Sequence, residues 1–405
     1  VAKPITKYAV QIRNPEDIVE ELNKAYHIAT TGRRGPVLID LPMNIQRSEV
    51  ENPVYDMTFE DKHTDAAAAQ QAADTILEAL EQAKRPVIML GHGVDSSFSQ
   101  QKLIRFAQKR QIPIITSVLA KSVLGYDHPL NFGCIGGAYG HRYANMIANA
   151  KSDLLLCFGI SLCTRQIGTK VHEFARGAKI IRIDIDPYNL QRDIHENGIN
   201  EVKLQAETGA VIDCLAKAAA PDTKGISDWL NVCTEIKENL QAVDDATPER
   251  YPNRMIADLS DMLEDTSAIA VDVGQHMVWS YQSFKNHEGQ KLLFSGGHGA
   301  MGYGLPAAIG AYYATGKPTA CICGDGALQM NIQELEWVKR ENLPVKIMVM
   351  NNEALGMIRH LQRDYFDCLF AGTTDGCGFA SCNFAEVAKA YGIPALRMLC
   401  DAVRE

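Results

Sequence analysis

The sequence lacks any long uninterrupted run of apolar residues, which excludes the usual membrane-spanning helix. Such a helix needs about 20 predominantly apolar residues in succession, and no stretch of these 405 residues reaches that length. A basic excess is lacking as well, because 40 lysines and arginines stand against 49 aspartates and glutamates, for a formal net charge of −9. Since nucleic-acid-binding proteins concentrate positive charge, this balance argues against a nucleic-acid partner.

Paired cysteines are missing too. The 11 cysteines are scattered without a Cys-x-x-Cys motif, and several, including Cys157, Cys321 and Cys323, lie within apolar segments. This spacing favours small apolar core residues in a reducing compartment over disulfides or a zinc site. We therefore expect a cytoplasmic protein with neither a membrane nor a nucleic acid as its partner.

Length and composition predict several α/β domains. A chain of 405 residues is too long for one ordinary core, and 46% apolar with 22% charged residues is typical of globular proteins. Strand-like and helix-like segments alternate, which indicates doubly wound parallel sheets in successive domains. The predicted strands are 37–41, 86–90, 112–116, 153–158, 179–185, 268–271, 292–294, 319–323 and 345–350, and the predicted helices include 15–30, 65–82, 226–242, 252–263 and 304–315.

The most informative segment is 319–362. An apolar run breaks at Gly324-Asp325-Gly326, a helical pattern follows, and a second apolar run ends just before Asn352. Two strands around one helix predict a parallel βαβ unit, so Asp325 and Asn352 should share the edge where α/β sheets bind ligands. Their oxygens, with a backbone carbonyl and phosphate oxygens, suit Mg²⁺. The alternative is a tight strand-to-helix turn with a solvated aspartate.

Two glycine-containing segments are predicted to contact a ligand. Gly324 and Gly326 tolerate positive φ and let the backbone approach a ligand, while the amides that open the next helix can receive phosphate oxygens. A second glycine-rich segment, 295–302, lies between a strand and a helix. Because it has almost no side chains, it can lie close to a flat heteroaromatic ring.

These motifs carry a family resemblance. Gly-Asp-Gly-Ala-Leu-Gln-Met at 324–330 and Asn-Asn-Glu-Ala-Leu-Gly-Met at 351–357 resemble the thiamine-diphosphate signature of acetohydroxyacid (acetolactate) synthase large subunits, as do segments 35–42, 272–276 and 301–310. The resemblance implies a transferase of branched-chain amino acid biosynthesis that uses thiamine diphosphate and Mg²⁺. It would decarboxylate pyruvate and join the two-carbon remainder to a second 2-oxo acid. A related carboligase, lyase or hydrolase with another acceptor, or a noncatalytic cofactor-binding homologue, is the alternative.

The resemblance also assigns the site residues. Asp325, Asn352 and the carbonyl of Ala354 become metal ligands. The implied catalytic residues are Met301, which holds the cofactor bent, Met357, which covers the thiazolium, and Arg165, which meets the acceptor's carboxylate. The implied cofactor-binding residues are Gln275, His276, Gly299, Met301, Gly324, Gly326, Ala327, Gly356 and Met357. Without the resemblance, Gln275 and His276 would be a surface or helix-cap pair, and Arg165 would form a surface salt bridge. Asp272 is expected to be structural.

The same resemblance divides the chain. Residues 1–46 correspond to the end of a pyrimidine-binding domain, 47–65 to a linker, 66–220 to a central FAD-binding-like domain and 226–405 to the diphosphate-binding domain. We expect a chain truncated at both ends, with the family's catalytic glutamate in the missing N-terminal part. Because the family's cofactor lies between two subunits, a homodimer or higher homo-oligomer is expected, and a regulatory subunit is possible.

FAD is left open by the central segment. The implied contacts are Gly91, Gly93, Thr116, Gly137, Gly159 and Asp184. Against them, segment 161–165 retains only Arg165 of the family's charged residues, and its Met-His dipeptide is replaced by Ala138-Tyr139. A further departure is Leu361, which stands where the biosynthetic enzymes carry a tryptophan beside the acceptor. This change predicts little preference for 2-oxobutyrate over pyruvate.

Overall fold

The computed structural model describes residues 1–51, 53, 55, 59, 65–94, 96–137, 139–219 and 227–398. Within them the chain forms three sheets, of two, six and four strands, and every strand pairing is parallel. The expected α/β class with parallel sheets is therefore confirmed. Ala138 and the predicted boundary at 221–225 lie outside the described residues, as does most of the predicted linker.

The first sheet pairs two short strands. They are β1 (Tyr8–Gln11) and β2 (Val37–Asp40), joined by helix α1 (Ile18–Thr30) and followed by α2 (Met43–Gln46). The helix predicted at 15–30 begins as a single 3-10 turn, Pro15–Asp17, before α1. β1 was not predicted, because four half-buried or exposed residues carry too short a pattern to stand out in the sequence.

The second sheet has the strand order β5-β4-β3-β6-β7-β8. Its strands are β3 (Pro86–Leu90), β4 (Ile114–Thr116), β5 (Asn131–Cys134), β6 (Leu154–Phe158), β7 (Lys179–Asp184) and β8 (Glu201–Gln205). Its helices are α3 (Ala66–Gln82), α4 (Ser97–Arg110), α5 (Arg142–Asn145), α6 (Thr164–Ile167), α7 (Pro187–Gln191) and α8 (Thr208–Lys217). The strand order reverses between β3 and β6, which is where doubly wound sheets form a ligand crevice.

The edge strands β5 and β8 were not predicted, because they are less apolar than the strands they flank. β3 and β6 are buried at every position and so appear as continuous apolar runs. β8 instead alternates charged and apolar residues, and Glu201 within it forms a buried ion pair with Arg182 of β7 at 2.7 Å. The sequence alone does not show that the charge of Glu201 is buried, because its partner Arg182 lies on another strand.

The third sheet has the order β10-β9-β11-β12. Its strands are β9 (Ala268–Val271), β10 (Lys291–Phe294), β11 (Thr319–Gly324) and β12 (Val345–Met350). The helices are α9 (Ser227–Asn239), α10 (Pro252–Met262), α11 (Gln275–Ser283), α12 (Gly304–Thr315), α13 (Asp325–Met330), α14 (Glu334–Arg340), α15 (Gly356–Tyr365) and α16 (Phe384–Ala390). Trp229 of α9 packs in the core of the second sheet and donates its indole N–H to the carbonyl of Pro86 at 3.0 Å.

The connection from β11 to β12 differs from the single helix expected. Two short helices, α13 and α14, are separated by a turn at residues 331–333. Asn331 ends the first helix, and its side-chain amide donates to the carbonyl of Gly302. This break ties the connection to the glycine-rich loop, a tertiary contact that local helix preference cannot reveal.

The ten cysteines in the described residues are all free, and Cys134, Cys157, Cys233, Cys321 and Cys323 are buried. The expectation of core cysteines is therefore met at these five positions. Of the helices in the described part of the chain, none combines the length and the apolar character needed to cross a membrane.

Candidate cofactor and metal site

The third sheet places Asp325 at the carboxyl end of β11. It is the first residue of α13 and only 2% exposed, and its Oδ2 has no hydrogen-bond partner in the described residues. Burial raises the pKa of this carboxyl, while the backbone N–H groups of Gly326 and Glu353 and the side chain of Ser381 act in the opposite direction. A buried carboxylate oxygen without a partner is costly, so a cation or donor is the natural partner for Oδ2.

Asn352 lies beside Asp325 because β11 and β12 are paired, with Gly324 opposite Met350. Its Nδ2 donates to Gln275 Oε1 at 2.9 Å, and its Oδ1 accepts the N–H of Ala354 at 3.2 Å. Glu353 has a φ of +55°, which turns the backbone between the two predicted ligands. Ala354 then forms an antiparallel bridge with Thr374, so a later loop supports this turn.

Gly356 allows the start of α15 to approach α11. A Cβ on Gly356 would lie 2.1 Å from Gln275 Oε1 and 2.9 Å from Asn352 Nδ2. A side chain at this position would force the side chains of Gln275 and Asn352 to shift. The next residue, Met357, is half-buried in the first turn of α15. The predicted residues Gln275, Asn352 and Gly356 are therefore brought together.

His276 packs beneath the same edge. Its imidazole is 3% exposed and lies against two glycines, since a Cβ would be 2.5 Å from its Cε1 at Gly274 and 3.1 Å at Gly324. Burial lowers the pKa of His276 to about 4, so the ring is neutral at pH 7. Its Nε2 has no partner in the described part of the chain, which makes it the second unsatisfied buried polar atom at this edge.

The glycine-rich loop 295–302 is held by Asp272 at the end of β9. The carboxylate accepts the backbone N–H groups of Val273 at 2.7 Å, Gly302 at 3.0 Å and Gly304 at 2.7 Å. Burial raises the pKa of Asp272, and the three N–H donors oppose that rise. The structural role expected for Asp272 matches this geometry.

Met301 and Leu355 both approach Gly326. A Cβ on Gly326 would be 3.4 Å from Met301 Cε and 2.7 Å from Leu355 Cδ2. Ala327 is the third residue of α13, so its N–H is among the first amides of the helix, which have no acceptor within it. Gly299 has a φ of +75°, which only glycine adopts readily.

The tolerance of Gly324 and Gly326 for positive φ is not used in this fold. Gly324 has a φ of −88°, and neither residue is among the glycines with positive φ. Steric room is the reason for glycine here: His276 leaves no ordinary space for a side chain at 324, and Leu355 leaves none at 326. The approach of the backbone to a ligand at these two glycines stays a prediction.

Arg165 crosses from the second sheet to the glycine-rich loop. Its Nη1 donates to the carbonyls of Gly296 and Gly297, each at 3.2 Å. This contact places Arg165 beside the glycine-rich loop. It tests neither the predicted role of Arg165 in binding the acceptor's carboxylate nor the salt-bridge alternative. Two supporting contacts were missed from the sequence, namely Leu355 N–H to the carbonyl of Thr373 and Ser381 Oγ to Asn351 Oδ1. Both come from a loop with no recognisable motif.

The residues predicted to contact FAD lie at the carboxyl edge of the second sheet, but the polar groups of several of them already form hydrogen bonds within the protein. The N–H of Gly93 donates to the carbonyl of Gly159 at 3.0 Å, and a Cβ on Gly91 would lie 2.0 Å from that oxygen. Asp184 accepts from Asp186 N–H and Asn189 Nδ2. Thr116 donates its hydroxyl to the carbonyl of Gly133, while Gly137 has a φ of +40° at an exposed turn. This edge therefore fits FAD less well than the β11–β12 edge fits a metal and a diphosphate.

No group of three or more His, Cys, Asp or Glu side chains that could hold a metal occurs in the described residues. The candidate ligand set at the third sheet is instead one carboxylate, one amide and one backbone carbonyl. Those oxygens are of the hard type that Mg²⁺ binds, with the remaining positions left to water or phosphate. The residues present thus fit a magnesium ion bound together with a diphosphate.

Two family models match the chain. The model described as the central domain of thiamine pyrophosphate enzymes matches residues 73–215, and the model described as their C-terminal TPP binding domain matches residues 272–404. The first match covers the six-stranded sheet and the second covers the edge that bears Asp325 and Asn352. Fold, site and models together define the class of thiamine pyrophosphate enzymes.

Comparison with curated relatives identifies the family within this class. The chain is 34% identical to a probable acetolactate synthase large subunit of Methanocaldococcus jannaschii, with 99% of this chain and 69% of the relative covered. It is 32% identical to the acetolactate synthase isozyme 1 large subunit of Escherichia coli, with 100% and 69% covered. For a probable chloroplastic acetolactate synthase 2 of Oryza sativa the identity is 34%, with 98% and 61% covered. The chain belongs to the acetolactate synthase large-subunit family of thiamine-pyrophosphate-dependent enzymes.

Proposed function

We propose that this enzyme decarboxylates pyruvate and joins the two-carbon remainder to a second 2-oxo acid, which is the acetolactate synthase reaction. The observation that carries the proposal is the pair of unsatisfied buried polar atoms, Asp325 Oδ2 and His276 Nε2, at the edge shared with Asn352. Similarity to large subunits, which extends over nearly the whole chain, supports the same reaction.

Asp325, Asn352 and the carbonyl of Ala354 would hold Mg²⁺, and the metal would hold the diphosphate. Gln275 and His276, with the first amides of α13 around Gly326 and Ala327, would bind that diphosphate. Gly299 and Met301 would contact the aminopyrimidine, and Gly356 and Met357 would cover the thiazolium. The bound cofactor supplies an electron sink for the carbon that loses CO₂. The protein supplies its orientation.

Arg165 would bind the carboxylate of the second 2-oxo acid, because an arginine fork matches a carboxylate with two parallel hydrogen bonds. Leu361 would border the acceptor. It lies on α15, four residues after Met357, and is 51% exposed. A leucine is a smaller wall than an aromatic ring, so we propose that pyruvate and 2-oxobutyrate are used about equally.

The proposal extends to FAD, to the assembly of the protein, to its compartment and to its substrates. We propose that ligation proceeds without bound FAD, since Asp184, Gly93 and Gly159 already contact protein atoms. Homologous large subunits support a homodimer or higher homo-oligomer, with a regulatory subunit as a further partner. The cytoplasm is the proposed compartment, and small 2-oxo acids are the proposed substrates.

The deciding experiment supplies the full-length protein with pyruvate, Mg²⁺ and thiamine diphosphate and measures CO₂ and acetolactate separately. Equal molar yields of the two products support carboligation. CO₂ without acetolactate, or a different product with another carbonyl acceptor, would favour a related lyase, hydrolase or carboligase. Neither product, despite cofactor binding, would favour a noncatalytic homologue. Flavin absorbance of the active enzyme after gel filtration tests the FAD proposal, and competition between the two acceptors tests Leu361.

A further inference from the structure

The glycine-rich loop 295–302 carries one ionisable side chain, that of His298. The other positions are Ser295, Met301, Ala300 and glycines. The imidazole is exposed and makes no hydrogen bond to the described residues. His298 is therefore the one side chain of this loop of a type that general acid–base catalysis ordinarily uses.

The backbone beside His298 is fixed on both sides. On one side Arg165 Nη1 holds the carbonyls of Gly296 and Gly297, and on the other Asp272 holds the N–H groups of Gly302 and Gly304. A rigid loop limits the positions that the imidazole can reach, as a group that acts on a bound substrate requires.

Arg165 indicates what binds next to this imidazole. Only Nη1 of its guanidinium hydrogen-bonds to the described residues, so Nε and Nη2 have donors left for a carboxylate. The carbonyl that Arg165 holds at 3.2 Å belongs to Gly297, the residue immediately before His298. In a 2-oxo acid the reacting carbonyl adjoins the carboxylate. Because Gly297 directly precedes His298, an acid whose carboxylate is bound by Arg165 would lie close to the backbone of His298.

We propose that His298 donates the proton to the carbonyl oxygen of the second 2-oxo acid, an inference that rests on the proposed carboligation. The electron pair of the two-carbon donor forms the new C–C bond, the π pair of the acceptor carbonyl moves to its oxygen, and that oxygen takes the proton of the imidazolium. Solvent then reprotonates the imidazole. The ionisable groups that face this part of the loop are Arg165, Asp272 and the phenol of Tyr281, which lies 3.9 Å from the Cβ position of Gly296.

The test compares His298→Leu with the wild-type enzyme while CO₂ and acetolactate are measured in parallel. General acid catalysis is typically worth about 10²–10⁴-fold, so acetolactate formation should fall at least about 100-fold. CO₂ release should stay within about threefold of wild type, with acetaldehyde as the other product. Calorimetric affinity for thiamine diphosphate should be unchanged, which shows that the loop still folds.

Two further variants separate proton donation from a structural role. Imidazole added to His298→Ala should restore ligation at least tenfold and should shift its pH profile, whereas Ala300→Ser in the same loop should keep both rates. An equal fall in CO₂ and acetolactate, no fall at all, or a ligation defect that imidazole does not rescue would overturn the assignment of His298. If wild type itself released CO₂ but formed no ligated product, the proposed function and this inference would fail together.

Discussion

The six-stranded and four-stranded sheets follow the same parallel plan, yet their carboxyl edges differ in how their buried polar atoms are satisfied. At the six-stranded edge Asp184 accepts two hydrogen bonds, and the loops at Gly93 and Gly159 bond to each other. One neutral hydroxyl there, Ser117 Oγ, lacks a partner in the described residues. At the four-stranded edge a carboxylate oxygen and an imidazole nitrogen lack one.

This difference shows that a shared fold does not imply a shared function. Burying an unpaired hydroxyl costs about 1–3 kcal/mol, while an unpaired carboxylate costs more and strongly favours a cation or proton. The four-stranded edge therefore fits a bound cation better than the six-stranded edge does. The four predictions below test that contrast, from the largest expected effect to the smallest.

Replacing a predicted metal ligand should have the largest effect. Asp325→Ala or Asn352→Ala should weaken Mg²⁺-dependent binding of thiamine diphosphate at least about 100-fold, because losing one partner of a charged buried contact costs about 3 kcal/mol or more. Calorimetry with and without Mg²⁺ measures this. The matched control is Asp184→Asn at the other edge, which should keep wild-type affinity. Unchanged affinity in either ligand variant would remove the metal assignment.

His276 should make the protein sensitive to acid. Its pKa is lowered from 6.5 to about 4, so the ring stays neutral when folded while the unfolded chain takes up a proton below pH 6.5. Stability is therefore lost as pH falls from 6.5 to about 4, by about 3 kcal/mol in total. Urea unfolding of His276→Gln without cofactor should show a shallower loss over that window. A slope identical to wild type would show that His276 is not buried neutral.

Gly356→Ala should disturb the Gln275–Asn352 hydrogen bond, because its Cβ would lie 2.1 Å from Gln275 Oε1. We expect about tenfold weaker cofactor binding, equivalent to about 1.4 kcal/mol. Gly310→Ala in α12 is the matched control, since no atom lies within 4 Å of its Cβ position. It should keep full affinity and add about 0.5–1 kcal/mol of stability. Equal affinities in the two variants would argue against the close approach at Gly356.

Ser117→Ala should have the smallest effect. Removing a buried hydroxyl that has no partner in the described residues should change stability by no more than about 1 kcal/mol, in the stabilising direction, and should leave thiamine-diphosphate affinity unchanged. Thermal unfolding and calorimetry measure the two quantities. A marked loss of stability would reveal a partner for this hydroxyl and would increase the difference between the two edges.

Much of the fold could be predicted from the sequence, because apolar strands such as β3 and β11 are continuous runs that end at glycine or at a polar residue. The strands β5 and β8 could not be predicted, because edge strands tolerate polar residues and their partner strands are distant in sequence. At the candidate site Asp325 and Asn352 could be paired from strand topology alone. The supports at Thr373 and Ser381 could not, because a loop without periodicity has no signal that reports its contacts.

By itself the sequence determined which chemistry is available: one aspartate and one asparagine at strand ends, a loop almost without side chains, and an imidazole within that loop. Local patterns suffice for this, because strand termini and glycine runs are properties of neighbouring residues. Only the tertiary structure decided which polar atoms remain without partners. Whether Asp325 Oδ2 or Asp184 is satisfied depends on side chains and backbone groups from other segments, and folding alone brings those groups within hydrogen-bond distance.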